Sequence, residues 1–420
     1  MARNGLEARA AVLPAAARLD RAWSAALRDA WRVLWSSRLV VWASGALAVV
    51  LWGISPRADV FDPASLTRPF GATGDALTAS LGRWDSVWYL AIAHDGYPAA
   101  DGARTAFFPL YPLLVRAVGA FAAPPLVAGA LVSTACFAAA LVLLHRLCAL
   151  ELGRPAARAT VAAVAFFPTS LFLSAAYAES LFLALSVGCV LAARTDRWAW
   201  AGALGALAAA TRSAGLVLVV PLVVLWLGTR PRRPADLACV ALVPAGTAAF
   251  CAWLELRGGS AAAPFHAQSL WYRHFAGPFV GAWDGLVAGW AGVRQLLSGS
   301  REHVYFTRAG GDPMTVARLN VALLGSLALA VPALVGTFRR LPPAYGAYAL
   351  AALALPLSWP VGPQPLMSLP RFEVVLFPLF MWLGAWAADG GPGRRRVLLA
   401  LGTAGLVACT ALFATWRWFA

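Results

Sequence analysis

The sequence predicts an all-α, polytopic membrane protein with about eleven transmembrane helices, from its composition, its apolar segments and the placement of its arginines. Of the 420 residues, 60% are hydrophobic and only 13% are charged. A soluble domain is roughly half apolar and about a quarter charged. The mean hydropathy is +0.69, and apolar runs recur at lengths near the roughly 20 residues that a transmembrane helix needs. The composition therefore excludes a water-soluble globular protein.

Eleven apolar segments are the predicted transmembrane helices. They lie near residues 38–55, 123–148, 158–173, 178–193, 199–211, 213–228, 237–256, 314–337, 344–359, 371–388 and 397–416. The neighbouring segments 199–211 and 213–228 are either two spans or one broken span. The run FFPLYPLL at 107–114 contains too much proline for a regular helix, because proline removes a backbone donor and clashes with the preceding turn. We expect this run to lie along the membrane surface or to re-enter the membrane.

The arginines between these segments predict the orientation, because arginine collects in short cytoplasmic loops. If the N-terminus is inside, every predicted cytoplasmic loop is basic. These loops contain Arg154 and Arg158, Arg194 and Arg197, Arg230, Arg232 and Arg233, Arg339 and Arg340, and Arg394 to Arg396. Residues 1–37 are therefore predicted to form a cytoplasmic tail that is not a cleaved signal, and residues 38–420 a domain in the plasma membrane. The long loops at about 56–122 and 257–313 are then extracytoplasmic.

The distribution of charge and cysteine excludes several functional classes. The net charge is +15, but the arginines form short clusters between apolar segments, so no nucleic-acid partner is expected. The six cysteines are spread singly without CxxC spacing, which predicts neither a zinc site nor a disulfide framework. No glycine-rich phosphate loop occurs, and neither a metal nor another cofactor is predicted. His266, Arg273 and His274, in the second long loop, fit no strong metal-binding pattern.

Polar side chains beside the spans on the predicted extracytoplasmic side are the candidates for function, because charged groups in a bilayer are costly and are usually functional. They are Asp85, His94, Asp95, Glu179, Arg212 and Arg371. Such a gathering at one face is what a reaction centre for an amphiphilic substrate requires.

Asp85 is the first of these candidates. On a helix from residue 85, Trp88, Tyr89 and Ile92 share its face, since residues three and four apart are neighbours. The carboxylate would then emerge from an aromatic surface, as expected of a base beside a lipid or a sugar. The alternative interpretation is that Asp85 only caps a short helix.

The other candidates also have structural alternatives. His94 and Asp95 could belong to a turn. Glu179 begins an apolar run and could complement a helix dipole, while Arg212 could pair with Glu179 or extend its stem to the interface. Arg371 lies at a predicted helix start, where a cation is unfavourable, so we expect an anionic partner such as phosphate.

Five stretches of the sequence, in order, carry a family resemblance. They are RWDSVWYLAIAHDGY (83–97), FFPLYPLL (107–114), FPTSLFLSAAYAESLFL (167–183), ATRSAGLVLVVP (210–221) and SLPRFEVVLFPLF (368–380). Together they resemble the PIG-V family, the second mannosyltransferases of GPI-anchor assembly and their bacterial relatives, which belong to the glycosyltransferase C superfamily. Each stretch alone is modest, whereas five in order make a fairly specific signal.

The resemblance implies a glycosyltransferase C type bundle with its active site on the extracytoplasmic face. It also implies that polyprenyl-phosphate mannose is the donor, that a lipid-linked compound or a glycan is the acceptor, and that Asp85 is the catalytic residue. The absence of lysine and the abundance of alanine and glycine are typical of a GC-rich bacterial genome. Because bacteria lack GPI anchors, the acceptor is then expected to differ from that of the eukaryotic enzymes.

The predicted reaction follows from these roles. Asp85 takes the proton of an acceptor hydroxyl that attacks the anomeric carbon opposite the phosphate, so a β-linked donor gives an α-mannoside. Arg371 and Arg212 bind the donor phosphate, and the supporting or substrate-binding residues are Trp84, Tyr89, His94, Asp95 and Glu179. Two alternatives stay open: a transferase of the same superfamily for another sugar, such as arabinose or glucose, and a non-enzymatic transporter or flippase of polyprenyl-linked glycans.

Overall fold

A computed structural model describes residues 15–98, 102–122, 124–302, 312–362 and 364–419. Residues 1–14 of the predicted tail lie outside them. The α-helices, in chain order, are α1 (Ala15–Trp52), α2 (Arg57–Phe61), α3 (Gly71–Leu77), α4 (Ser86–Asp95), α5 (Leu110–Ala122), α6 (Pro125–Leu152), α7 (Arg154–Ala165), α8 (Glu179–Arg194), α9 (Trp198–Thr211), α10 (Val219–Gly228), α11 (Pro234–Val240), α12 (Ala245–Leu256), α13 (Ala263–His266), α14 (Pro278–Ser298), α15 (Pro313–Arg340), α16 (Pro343–Leu357), α17 (Leu369–Glu373), α18 (Phe377–Asp389) and α19 (Gly391–Ala414).

Short 3₁₀ helices connect several of these elements. They are Ala103–Ala106, Ser170–Leu173, Ser213–Leu218 and Ala267–Trp271. The described ranges contain no β-strand; their extended pairing is limited to an isolated antiparallel bridge between Arg273 and Val361. The predicted all-α class is confirmed.

Four helices in the described ranges are long and apolar enough to cross a membrane: residues Arg21–Trp52 of α1, together with α6, α15 and α19. The bent pair α11 and α12 is a fifth if it counts as one span. A multi-pass membrane protein is thus confirmed, whereas the predicted count of eleven spans is not. Each predicted apolar segment does contain helix, but several of these helices are short or broken.

The predicted span 158–173 shows why several helices are shorter than the sequence predicts. α7 ends at Ala165, and the chain continues to α8 through the 3₁₀ turn Ser170–Leu173. The buried side chain of Arg38, in the middle of α1, satisfies the carbonyl groups that this break frees. Its guanidinium donates to the carbonyl oxygens of Ser170 at 2.7 Å and Ala165 at 3.1 Å, and to the hydroxyl of Ser174 at 2.8 Å. A backbone break at membrane depth is tolerated where protein groups satisfy it.

The run FFPLYPLL differs from its prediction, because most of it is helical. α5 begins at Leu110 and includes Pro112 in its first turn. Proline is accepted there, since a backbone donor in the first turn has no partner within the helix. Tyr111 is fully buried and donates its hydroxyl to the carbonyl of Gly129 at 2.9 Å. The prediction of an irregular segment was therefore wrong from Leu110 onward.

The predicted second loop, 257–313, contains the 21-residue helix α14. α14 packs closely on α15, because a Cβ added to Gly292 would come within 2.7 Å of the carbonyl oxygen of Ala317. Before α14, residues 272–276 pair with residues 358–362. The amide of Ala276 donates to Ser358 at 2.9 Å, and the amide of Gly362 donates to the carbonyl of Tyr272 at 3.1 Å. The loop is thereby fixed beside α17.

The acidic candidate Glu179 and a basic cluster lie at opposite ends of one helix. α8 begins at Glu179 and ends at Arg194, about 22 Å away at 1.5 Å per residue. At the far end, Arg194 pairs with Glu151 at 2.5 Å, and Glu151 also accepts a hydrogen bond from Tyr345 at 2.8 Å. The candidate site and the arginines of a predicted cytoplasmic loop are therefore well separated.

Candidate functional site

Asp85 lies immediately before α4, yet its side chain does not cap that helix. Its backbone is already helical (φ −61°, ψ −18°), and no side-chain capping bond forms. Instead, Oδ2 accepts a hydrogen bond from Nη1 of Arg371 at 2.5 Å, across 286 positions of sequence. Within the described part of the chain, Oδ1 accepts no hydrogen bond. The capping interpretation therefore does not account for this carboxylate.

Glu179 joins two arginines from distant parts of the chain. The carboxylate is fully buried at the first position of α8. Its Oε1 lies 2.6 Å from Nη1 of Arg212 and 2.7 Å from Nε of Arg371. The side chains of Arg371 and Arg212 are only 7% and 16% exposed. A continuous series of ion pairs, the charged chain, thus links Asp85, Arg371, Glu179 and Arg212.

Tyr177 and its neighbours position this cluster. The Tyr177 hydroxyl accepts from the amide of Asp85 at 3.2 Å and donates to the carbonyl of Arg83 at 2.9 Å. The guanidinium of Arg371 lies 5.2 Å from the centroid of the Tyr177 ring. The hydroxyl of Thr169 donates to the carbonyl of Pro370 at 2.8 Å, beside Arg371. Sequence reasoning missed Tyr177, although it stands two residues before Glu179 in the stretch SAAYAESLF.

A cavity of about 460 Å³ opens beside the charged chain. Its polar wall includes Asp85, Arg212, Arg273 and Arg371, and Tyr89 also contributes to the lining. Its apolar wall comes from α8, the 3₁₀ helix Ser213–Leu218, α16 and the segment between α17 and α18. The apolar lining residues include Phe182, Leu216, Val217, Tyr348, Ala352, Leu355, Val375 and Leu376. The charged groups therefore border an apolar volume.

Three of the predicted supporting residues do not line this cavity. Trp84, which has a left-handed φ of 53°, packs against the rings of Trp416 and Trp418 with centroids 5.2 Å away. His94 and Asp95 lie at the last turn of α4, where their side chains are 69% and 51% exposed and hydrogen-bonded to each other at 2.5 Å. The bond from His94, helped by Arg104, lowers the pKa of Asp95.

Arg273 is the cavity residue that the sequence did not single out for binding. Its guanidinium donates to the carbonyls of Trp359 at 3.0 Å and Met367 at 3.3 Å. Within the described ranges, no group of three or more His, Cys, Asp or Glu side chains converges. Arg273 therefore adds a third guanidinium to the cavity wall, beside those of Arg212 and Arg371.

The fold and this cavity together define a class: an all-α, multi-pass membrane protein with a carboxylate–guanidinium cluster beside an apolar cavity. Residues 55–229 match the family model described as "Mannosyltransferase (PIG-V)", which confirms the resemblance to that family over this segment. Asp85, Glu179 and Arg212 lie inside the matched segment, whereas Arg273 and Arg371 follow it.

Curated relatives agree with the family match. The protein named GPI alpha-1,6-mannosyltransferase 2 of Rattus norvegicus is 36% identical over 178 residues, covering 39% of this chain and 35% of that one. Its counterpart in Mus musculus is 35% identical over 176 residues, covering 38% and 35%. The matched part of the chain thus spans about a third of the length of these relatives.

Two solved structures are similar at low sequence identity. The apo crystal structure of the Archaeoglobus fulgidus oligosaccharyltransferase has a TM-score of 0.44 at 12% identity, covering 90% of this chain and 56% of that one. The oligosaccharyltransferase AglB of the same organism, in complex with an inhibitory peptide and a dolichol-phosphate, has a TM-score of 0.42 at 14% identity, covering 90% and 55%.

Proposed function

We propose that this protein is a membrane-embedded, inverting mannosyltransferase of the glycosyltransferase C type. It transfers mannose from a polyprenyl-phosphate donor to a lipid-linked or glycan acceptor and forms an α-mannoside. The observation that carries the proposal is the ion pair of Asp85 with Arg371 at the wall of a cavity that is otherwise largely apolar. The match to mannosyltransferases over residues 55–229 supports it.

Asp85 is the proposed general base. Arg371 engages Oδ2 and orients the carboxylate, which leaves Oδ1 for the hydroxyl of the acceptor. As the acceptor oxygen bonds to the anomeric carbon, Asp85 takes its proton, and the bond from that carbon to the phosphate oxygen breaks. Polyprenyl phosphate leaves with the bonding electrons, so inversion converts a β-linked donor into an α-mannoside. A positioned base of this kind contributes roughly 10²–10⁴-fold to a rate.

The leaving phosphate is proposed to bind beside Arg371 and Arg212. Both guanidiniums line the cavity, and Glu179 orients them by contacting one nitrogen of each. Fixed donors at the position where charge develops stabilise a transition state strongly. The prenyl chain would follow the apolar wall that includes Val217 and Leu355.

The site is proposed to face the extracytoplasmic side, with the N-terminus in the cytoplasm of a cell whose plasma membrane contains the protein. This orientation is supported by the position of Arg194, in a basic loop at the opposite end of α8 from Glu179. Arginine in short loops favours the cytoplasmic side.

A direct transfer assay tests the proposed function. Membranes that contain the protein are incubated with polyprenyl phosphates labelled in mannose, glucose or arabinose, and the labelled products are isolated. We expect the mannose donor to give a product in which the labelled mannose is bonded covalently to the acceptor and no longer to the prenyl phosphate. Labelling from glucose or arabinose alone would contradict the choice of sugar, and movement of intact donor across the bilayer without a covalent product would contradict an enzyme.

Replacement of Arg371 tests the phosphate contact. We expect Arg371→Lys to lower kcat/KM for the donor by about 10- to 100-fold, because a hydrogen bond to a charged group contributes roughly 1.5–3 kcal/mol and lysine cannot contact two groups in one plane. The acceptor KM should change much less. The measurement is initial-rate kinetics with each substrate varied in turn, and an equal change for both substrates would contradict the phosphate assignment.

A further inference from the structure

The charges at the cavity do not balance. Three guanidiniums surround the ring of Phe372: the central carbon lies 5.2 Å from the ring centroid for Arg212, 5.6 Å for Arg273 and 5.6 Å for Arg371. Two carboxylates, Asp85 and Glu179, carry the opposite charge. The charged groups that contact one another here therefore leave an excess of one positive charge at the cavity wall.

The excess charge belongs to Arg273. Arg371 pairs with both carboxylates, at 2.5 Å and 2.7 Å, and Arg212 pairs with Glu179 at 2.6 Å. Among the described residues, Arg273 makes no ion pair, and its hydrogen bonds are to the carbonyl oxygens of Trp359 and Met367. A guanidinium has five N–H donors, so these two bonds leave donors for a ligand.

The surroundings of Arg273 favour the arrival of an anion. Burial away from water, and the positive charges of Arg371 and Arg212, lower the pKa of Arg273 to about 10 against the partial compensation from Asp85. The side chain is still a cation at neutral pH. An anion placed in the cavity would offset both the cost of burying the Arg273 cation and its repulsion by Arg371 and Arg212.

The position of Arg273 is fixed before any ligand binds. The bridge between Arg273 and Val361, and the hydrogen bond that the amide of Ala276 donates to the carbonyl of Ser358, tie the second loop to the segment before α17. Arg371 lies on α17 itself. The two carbonyl bonds fix the guanidinium further. A preorganised cation loses little conformational freedom on binding.

We propose that Arg273, supplied by the second long loop, joins Arg212 and Arg371 in binding the phosphate group of a polyprenyl-phosphate ligand, and that it supplies the net positive charge there because the other two arginines stay paired with their carboxylates; this assignment rests on the function proposed above. One unpaired guanidinium matches the single negative charge of a sugar phosphodiester. When the sugar leaves, the phosphate gains charge, and the remaining donors of Arg273 stabilise it in the same place.

Ligand binding, without any transfer, tests this assignment. The full chain and its variants are placed in nanodiscs of phosphatidylcholine, which has no net charge, and the dissociation constants of undecaprenyl phosphate and undecaprenol are measured. We expect Arg273→Gln to weaken binding of undecaprenyl phosphate by about 10- to 100-fold, since the lost bonds are charge-assisted. Binding of the uncharged undecaprenol should be unchanged, and Arg273→Lys should be intermediate for the phosphate.

A matched control is Arg257→Gln, which removes an exposed arginine near the start of the same loop and should bind both compounds as the unchanged protein does. Wild-type affinity of Arg273→Gln for undecaprenyl phosphate would overturn the assignment, and so would an equal loss for both compounds. If Arg273→Gln does not fold, Arg273→Lys is judged by the same two criteria. A protein that binds undecaprenyl phosphate through Arg273 but transfers no mannose would refute the proposed function and leave this assignment standing.

Discussion

Transfer of mannose should fall by about 10²–10⁴-fold in Asp85→Asn, because a positioned general base contributes roughly that factor. Asparagine has nearly the same size and can still accept a hydrogen bond from Arg371, but it cannot take a proton from the acceptor. Arg371 also keeps its second contact, with Glu179 at 2.7 Å, so the cluster should stay assembled. The measurement is the rate of label transfer from polyprenyl-phosphate mannose in membranes with equal amounts of each protein.

The matched control for this variant is Asp59→Asn. Asp59 also lies in the first long loop and pairs with an arginine, Arg68, at 3.0 Å, but its side chain is 78% exposed. We expect Asp59→Asn to transfer mannose at the unchanged rate. If Asp85→Asn transfers at that rate too, while its elution in gel filtration and its thermal unfolding are normal, Asp85 is not the base.

The class of the protein and four of the five charged residues of the candidate site could be predicted from sequence, because both depend on features that a linear pattern contains. Apolar length identifies membrane helices, and charges beside such helices are rare enough to stand out. Asp85, Glu179, Arg212 and Arg371 stood out for this reason, and the structure places them in one cluster. The prediction needed no knowledge of the path of the chain between them.

His94 and Asp95 were selected by the same reasoning, but the structure does not place them in the cluster. Asp85 immediately precedes the first residue of α4, whereas His94 and Asp95 lie at the last turn of that helix. Nine residues along a helix correspond to about 14 Å, which is too far for direct contact with the groups around Asp85. His94 and Asp95 were grouped with Asp85 because all six candidates were expected on one side of the membrane, and that criterion does not determine the distances between them. The pair is exposed to solvent.

Arg38 and Arg273 could not be interpreted from the pattern because their meaning depends on partners. Arg38 was placed at the boundary of a predicted span, whereas it is buried and satisfies carbonyl groups from the break after α7. Hydropathy reports the transfer of side chains into lipid and says nothing of where a backbone breaks. Among the described residues Arg273 has no carboxylate partner, a property that only the assembled cavity reveals.

Removal of the negative charge of Glu179 should have the largest effect on stability. We expect Glu179→Gln to lower the free energy of unfolding by about 3–5 kcal/mol, the range for breaking a buried ion pair by removing one partner. Glu179 is fully buried and contacts two guanidiniums. Without it, Arg212, Arg273 and Arg371 would face Asp85 alone. The measurement is denaturant unfolding of the purified protein in detergent micelles.

A second substitution separates charge balance from packing. Arg212→Gln added to Glu179→Gln removes the cation that the lost carboxylate compensated, so the double variant should be more stable than the sum of the two single losses predicts, by about 0.5–3 kcal/mol. Glu302→Gln, at an exposed position, should unfold as the unchanged protein does. Strictly additive losses would mean that Glu179 stabilises the fold by filling space, and the chain of charges from Asp85 to Arg212 would then be a result of packing with no energetic coupling of its own.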